Sequence, residues 1–194
     1  SLHSESCLSS AQEVSDWRDP TQENETRLSP DIVPAPLGEV ISRRGSTRRF
    51  AREPILSEQL SALLAASSAK IPADFGGVLV EPYLIVNAVA GLTPGAYHYS
   101  RASGALELLE EGEFRAEAGH LCFEQALGAD ASAVVFFLAD LESALGRLGN
   151  RGYLVAGLEA GYQIGYRVTG QVVLTIKVCH AFERLLGRLV GHET

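Results

Sequence analysis

Arg44, Ser46 and Arg48 alternate along the stretch ISRRGSTRRFAREPI, residues 41–55, with Gly45 between the first two. In an extended or turning segment alternate side chains point the same way. Two guanidinium groups and a hydroxyl can then converge on one tetrahedral anion. Arg suits phosphate because its planar fork presents paired donors, and Ser adds a short neutral one. Arg43 and Arg49 face elsewhere in that arrangement. From composition alone, a solvated basic turn explains the same residues.

The rest of the chain makes this cluster stand out. The 194 residues carry a net charge of −8, with 21% charged and 46% hydrophobic residues. That is enough apolar material for a real core in one domain, with or without a tail. Overall acidity argues against general nucleic-acid binding or attachment to anionic membranes, both of which need extended positive surface. A local basic cluster in an acidic protein suits a small anion better.

Other chemistry-bearing residues are sparse. Cys7, Cys122 and Cys179 are widely spaced and odd in number, with no CxxC or Cys/His ligand spacing, so no metal site is expected. Reduced thiols in a cytoplasmic protein are the expectation. No apolar run reaches membrane-span length, and no signal-peptide hydrophobic region opens the sequence. His98, in YHY, reads as a half-exposed strand residue, and His120 and His180 as structural, since no carboxylate stands beside them at helical spacing. Glu159, in GLEAG, needs a partner on an apolar helix, and Arg151 or Tyr153 could supply one. Glu81 sits at a strand end. Trp17 and Phe50 read as packing residues. No Ser-His-Asp set, P-loop or GxGxxG fingerprint occurs.

The elements that must position these residues follow from periodicity. Residues 1–36 are polar, with Pro20, Pro30, Pro34 and Pro36, and read as a tail or an arm laid on a partner. APLGEVISRR begins a short helix. LSEQLSALLAASSAK is a clearer one, with Ser57 as N-cap and Leu60, Leu63 and Leu64 on one face. Residues 82–89, 95–100 and 104–111 are short alternating runs separated by Gly and Pro, the pattern of an antiparallel meander. EFRAEAGHLCFEQAL reads as one helix, residues 132–139 as a buried strand, and LESALGRLG and LVAGLEAGYQIGYRV as helices. VVLTIKV could be a strand, whereas CHAFERLLGRLV places Phe182, Leu185, Leu186 and Leu189 on one helical face. The sum is an α+β domain: a central antiparallel or mixed sheet covered by helices.

RGSTRRF followed by EPI resembles the opening motif of the nitroreductase-like FMN oxidoreductases. In that family the first Arg, the Ser and the next Arg hold the FMN phosphate, which implies this role for Arg44, Ser46 and Arg48. Gly45 replaces a usual Arg. VEPYLIVNAVAGLTPGAYHYSRASGALELLEEGEFR and GNRGYLVAGLEAGYQIG are similar to stretches of the azoline-peptide dehydrogenase branch. The likeness runs from about Val40 to Gly165, with the motifs in family order.

The resemblance implies a nitroreductase-like domain over 37–194, divergent from about residue 166. It implies bound FMN, reduced by NAD(P)H and reoxidised by a second, small-molecule or peptide substrate. No catalytic side chain is assigned, because hydride transfer to the flavin requires no side-chain acid or base. The flavin lies between two domains in relatives, which implies a homodimer or pairing with a similar domain. Glu159 is then a structural hydrogen-bonding group near the flavin or the interface.

Departures from the family narrow this. Arg147 and Leu148 stand where the azoline dehydrogenases carry a Lys-Tyr pair. IPADFGGVLVEPY keeps Gly76 and Gly77 of the loop that touches the flavin ring, but not its Pro-Ser. A degenerate, non-catalytic scaffold or partner subunit is the alternative expectation. An azoline-peptide oxidase ranks third.

Overall fold

A computed structural model of the chain describes residues 49–68, 78–165 and 172–176, together with the isolated positions 10, 12, 36, 38, 39 and 42. Of the helix expected over APLGEVISRR, Pro36, Gly38, Glu39 and Ser42 lie among these; the last three are helical and Pro36 is not. The polar arm apart from Ser10, Gln12 and Pro36, with Trp17, His180 and the C-terminal CHAFERLLGRLV segment, lies outside the described residues.

The centre is a five-stranded sheet. Strands β2 (Val80–Val86), β4 (Gly95–Ser100) and β5 (Ala105–Glu111) form the antiparallel meander that the alternating runs predict. β6 (Ala133–Ala139) pairs antiparallel with β2, and β7 (Val172–Ile176) pairs parallel with β6. The order is β5-β4-β2-β6-β7. A small parallel pair, β1 (Ile55–Leu56) with β3 (Val89–Ala90), lies outside it. The sheet is therefore mixed. A parallel neighbour requires a crossover, and helices α4 (Leu141–Leu148) and α5 (Arg151–Gly165) supply it between β6 and β7.

Both faces of the sheet are covered, and β6 shows why. Its sequence, AVVFFLA, is continuously apolar because alternate residues enter two different cores. Val135 and Phe137 join one core with Leu84, Tyr97 and Tyr99, against Leu60 and Leu64 of helix α1 (Ser57–Ser67) and Val155, Ala156 and Ala160 of α5. Val134 and Phe136 join the other with Ile85, Ala118, Leu121 and Cys122, and Phe50 packs against it. Burial of each Phe side chain contributes about 1.5–3 kcal/mol. β5, at the edge, is largely exposed and carries Glu107, Glu110 and Glu111, charges that discourage strand addition.

Two local expectations need correction. Ser57 is the first residue of α1, so the capping position falls on Leu56, whose backbone N–H donates to Gln59 Oε1 at 2.9 Å. The side chain of residue 59, reaching back, replaces the hydroxyl cap. The single helix expected over 113–127 is two, α2 (Arg115–Leu121) and α3 (Ala126–Asp130). Phe123 and Glu124 both adopt positive φ, 60° and 58°, and turn the chain back on itself. The fold-back brings Gly128 against α2 so closely that a Cβ there would meet Ala118 O at 2.6 Å and Cys122 Sγ at 2.7 Å. Close packing of the two short helices across Gly128 overrides a continuous helical pattern. Cys122 is buried and outside any disulfide. Among the described residues, no helix is long and apolar enough to cross a membrane.

Candidate functional site

The charged groups converge where the chain enters β2. Leu79 and Val80 are the first residues of the strand to be buried, and their backbone polar groups need partners. Glu159 provides one: its Oε2 accepts from Leu79 N at 2.8 Å. Arg101, just past the end of β4, provides the other, donating from Nη2 to Val80 O at 2.6 Å. The same Nη2 donates to Gln163 Oε1 at 2.9 Å, and Gln163 Nε2 donates to Glu159 Oε1 at 3.1 Å. Arg101 Nη1 lies 3.6 Å from Glu159 Oε1. Three elements are thus tied at one point: the start of β2, the end of β4 and the middle of α5.

Burial dominates the electrostatics here. Glu159 is only 3% exposed. Desolvation pushes its carboxyl above the ordinary value, while the Leu79 N–H, Arg101 and the Val80 backbone pull it back down. Burial likewise lowers Arg101, opposed by Glu159 and Glu81. Both carboxylate oxygens of Glu159 are already engaged, so it braces the fold and is not placed to take a proton from a substrate. The structural role expected for it holds. Its partner is not Arg151 or Tyr153, however. Those residues share its helix but lie eight and six positions before it, whereas the charge that compensates Glu159 arrives from the end of β4 and its neutral partner Gln163 from four residues on along the same helix.

Glu81, exposed on β2, extends the cluster outward. Its Oε2 lies 4.0 Å from Arg101 Nε and 3.7 Å from His98 Nε2, and His98 Nδ1 lies 3.7 Å from Glu107 Oε2. The His98 ring tilts against Tyr83 with centroids 4.9 Å apart. Burial, with Glu81 and Glu107 nearby, raises the Tyr83 hydroxyl above its usual range. His98 is the half-exposed strand residue expected. His120 is not without a carboxylate: its Nδ1 contacts Glu124, four residues on, just beyond the end of α2. The helix stops at Leu121, so regular helical spacing does not make that pairing; the turn at Phe123 and Glu124 does.

Arg101 and Gln163 carry the network and are not singled out by the sequence. Gln163 follows Glu159 by four residues, the spacing that puts two side chains on one helical face. Arg101 has no such local signal. Among the described residues, no cluster of His, Cys, Asp or Glu is arranged to hold a metal ion.

Arg44, Ser46 and Arg48 lie outside the described residues, as do Gly76 and Gly77. What the structure describes is the fastening just beyond each stretch. Past the basic stretch, Arg52 pairs with Asp130 and Ser132 Oγ donates to Glu53 O at 2.6 Å. Past the glycines, Glu159 and Arg101 hold Leu79 and Val80.

No family model matches the chain, and no curated protein matches it. Among solved structures, it is similar to a crystal structure of a protein from Anabaena variabilis ATCC 29413 assigned as a nitroreductase. Identity is 31% and the TM-score 0.59, over 64% of this chain. The chain spans only 28% of that protein's length. With the five-stranded mixed sheet and helices on both faces, this establishes that the chain has a nitroreductase-like α+β fold.

Proposed function

We propose that the chain is the FMN-binding domain of an oxidoreductase. The observation that carries this reading is the coincidence of a nitroreductase-like fold at 31% identity with the RGSTRRF motif in its family position. The donor set fits the group: two guanidiniums and a hydroxyl match the charge and geometry of a phosphate dianion. Arg44, Ser46 and Arg48 hold that phosphate. Bound FMN supplies the redox chemistry, accepting hydride from NAD(P)H and passing electrons to a small-molecule or peptide substrate. The chain's own contribution is binding and orientation, with the Glu159–Arg101 brace keeping the start of β2 rigid beside the segment that carries Gly76 and Gly77.

The second half of the reading is pairing with another domain of the same kind, as a homodimer or with a similar partner. Helix α5 supports it by the apolar character of its outer face. Beside Val155, Ala156 and Ala160 its buried face carries Glu159 and Gln163, while Tyr153, Leu154, Leu158 and Tyr162 are exposed, Leu158 by 65%. An uncharged face over about three turns of a chain with net charge −8 is a surface suited to burial against a neighbour.

The native absorbance spectrum tests the reading. A flavin band at about 450 nm, bleached by NADH or NADPH without oxygen, is expected. Colourless protein that takes up no added FMN would overturn it and make the chain a non-catalytic partner domain. Arg147 and Leu148, in place of a Lys-Tyr pair, place azoline oxidation of peptides behind both.

A further inference from the structure

Resting on the pairing with a like domain proposed above, we infer that α5 packs against α5 of a second copy of this chain, a leucine ridge of each helix seated in a glycine groove of the other. Over residues 152–163 the helix carries a single charged residue, Glu159, and it is turned inward and buried. The outer face is therefore uncharged along this whole length, although the chain carries −8. Tyr153, Leu154 and Leu158 stand exposed on it. A contiguous apolar surface of this kind is suited to burial against another chain.

The glycines of this helix separate by what they touch. Gly152 is required within the molecule, since a Cβ there would meet Ala144 O at 2.4 Å. Gly157 and Gly161 are not: among the described residues nothing lies within 4 Å of a Cβ at either position. Glycine is the poorest helix former after proline, and α5 runs unbroken through both. These two glycines thus weaken the helix without serving a contact among the described residues. Gly157 and Gly161 stand four apart, as do Leu154 and Leu158, so the four make two adjacent rows, a groove beside a ridge. Helices whose i±4 ridges interlock cross at about −50°, and a row without side chains lets the backbones approach closely. A two-fold axis between two such helices places each ridge in the other's groove, so the face is its own complement. That self-complementarity makes a second copy the occupant, because it presents ridge and groove at the matching spacing. The lack of charge on the face also spares the repulsion that two chains of net charge −8 meet elsewhere on their surfaces.

Two variants of the full chain alter opposite halves of the contact. Gly157→Leu fills the groove, and Leu154→Ala combined with Leu158→Ala removes the ridge. Circular dichroism melting confirms that each folds. Sedimentation velocity at micromolar concentration is expected to show a dimer of the unaltered chain. Each variant alone is expected to dimerise about a hundredfold more weakly, because both copies carry the defect. Gly157→Ala, a smaller filling, should weaken the dimer in the same direction while raising the melting temperature of the monomer. Mixed together, with one of them fluorescently labelled, the two variants are expected to pair with each other about tenfold more tightly than either pairs with itself. The filled groove then meets the trimmed ridge, and the intact ridge meets the open groove. A monomeric unaltered chain, a dimer that Gly157→Leu leaves unchanged, or a mixture no tighter than the separate variants would overturn the proposal. A dimer indifferent to both variants leaves pairing with a like domain standing on another surface, and FMN binding is judged separately from the absorbance spectrum.

Discussion

Arg101 and Glu159 meet where β2 begins and β4 ends, with Nη1 and Oε1 3.6 Å apart, the one just past the end of β4 and the other in the middle of α5. They are 58 positions apart in sequence (159 − 101) and nearly enclosed, with side-chain exposures of 13% and 3%. Each also holds a backbone group at the start of β2. The pair therefore works as a joint between three elements, and its energetics follow from how burial and attraction offset one another.

The joint has a defined pH signature. Burial raises the Glu159 carboxyl above its ordinary value of 4.5, so the folded state holds that proton more tightly than the unfolded chain. Ionisation of Glu159 thus removes stability as pH rises from below 4.5 through the raised folded value. Glu159→Gln keeps an acceptor for Leu79 N and removes the charge. At neutral pH it leaves the buried Arg101 with only the more exposed Glu81, 4.0 Å away, as counter-charge and is expected to cost about 1–3 kcal/mol, while its stability relative to wild type should rise with pH across that window. Arg101→Leu instead leaves Glu159 buried without its cation, and should lose about 3 kcal/mol at pH 7. That loss should shrink toward pH 4 and on adding Glu159→Gln. Urea unfolding of the three variants at several pH values measures all of this, and a pH-independent difference between wild type and Glu159→Gln would refute the account.

Phosphate recognition by the basic stretch gives a second expectation. A hydrogen bond to a charged group contributes about 1.5–3 kcal/mol, so Arg44→Ala or Arg48→Ala should weaken FMN roughly ten- to hundredfold. Ser46→Ala should cost less, because a hydroxyl carries no charge. Riboflavin affinity should not move in any of the three. Equal losses for both ligands would mean that these residues do not address the phosphate.

Pairing through α5 is tested at Leu158, which sits in the middle of the exposed face. A carboxylate there cannot be desolvated without large cost. Leu158→Glu should therefore convert a dimer to a monomer in sedimentation velocity at micromolar concentration, without lowering the melting temperature of the monomer. A wild-type monomer under the same conditions would count against a homodimer and leave a different partner domain as the occupant.

Glycines within α5 should separate cleanly by what surrounds them. A Cβ at Gly152 would meet Ala144 O at 2.4 Å and Ala144 C at 2.6 Å, backbone atoms of α4 that cannot step aside. Gly152→Ala is expected to destabilise by about 2 kcal/mol. At Gly157 nothing lies within 4 Å, and alanine there should stabilise the isolated domain by about 0.5–1 kcal/mol through helix propensity. Thermal unfolding of the two variants should shift in opposite directions.

Much of this architecture is legible in the sequence because its signals are local. The meander over 82–111 announces itself through alternation and Gly/Pro turns, and the apolar run of β6 through its length. Arg44, Ser46 and Arg48 are visible as an alternating triplet, and the family resemblance gives them a cofactor. By itself the sequence thus determined the element types, the sheet flanked by helices, and the residues nominated for phosphate. Where local pattern and packing conflict, packing prevails. The pattern over 113–127 is helical throughout, yet the close approach of Gly128 to Ala118 and Cys122 divides it. Which residue compensates Glu159 was also decided only by tertiary structure. A buried carboxylate demands a partner, but nothing in the spacing of Arg101 says that it ends beside α5. The Arg52–Asp130 ion pair has the same character, joining residues 78 positions apart. Periodicity acts over a few residues and can be read along the chain, whereas desolvation and ion pairing act through space, between groups that only the completed fold brings together.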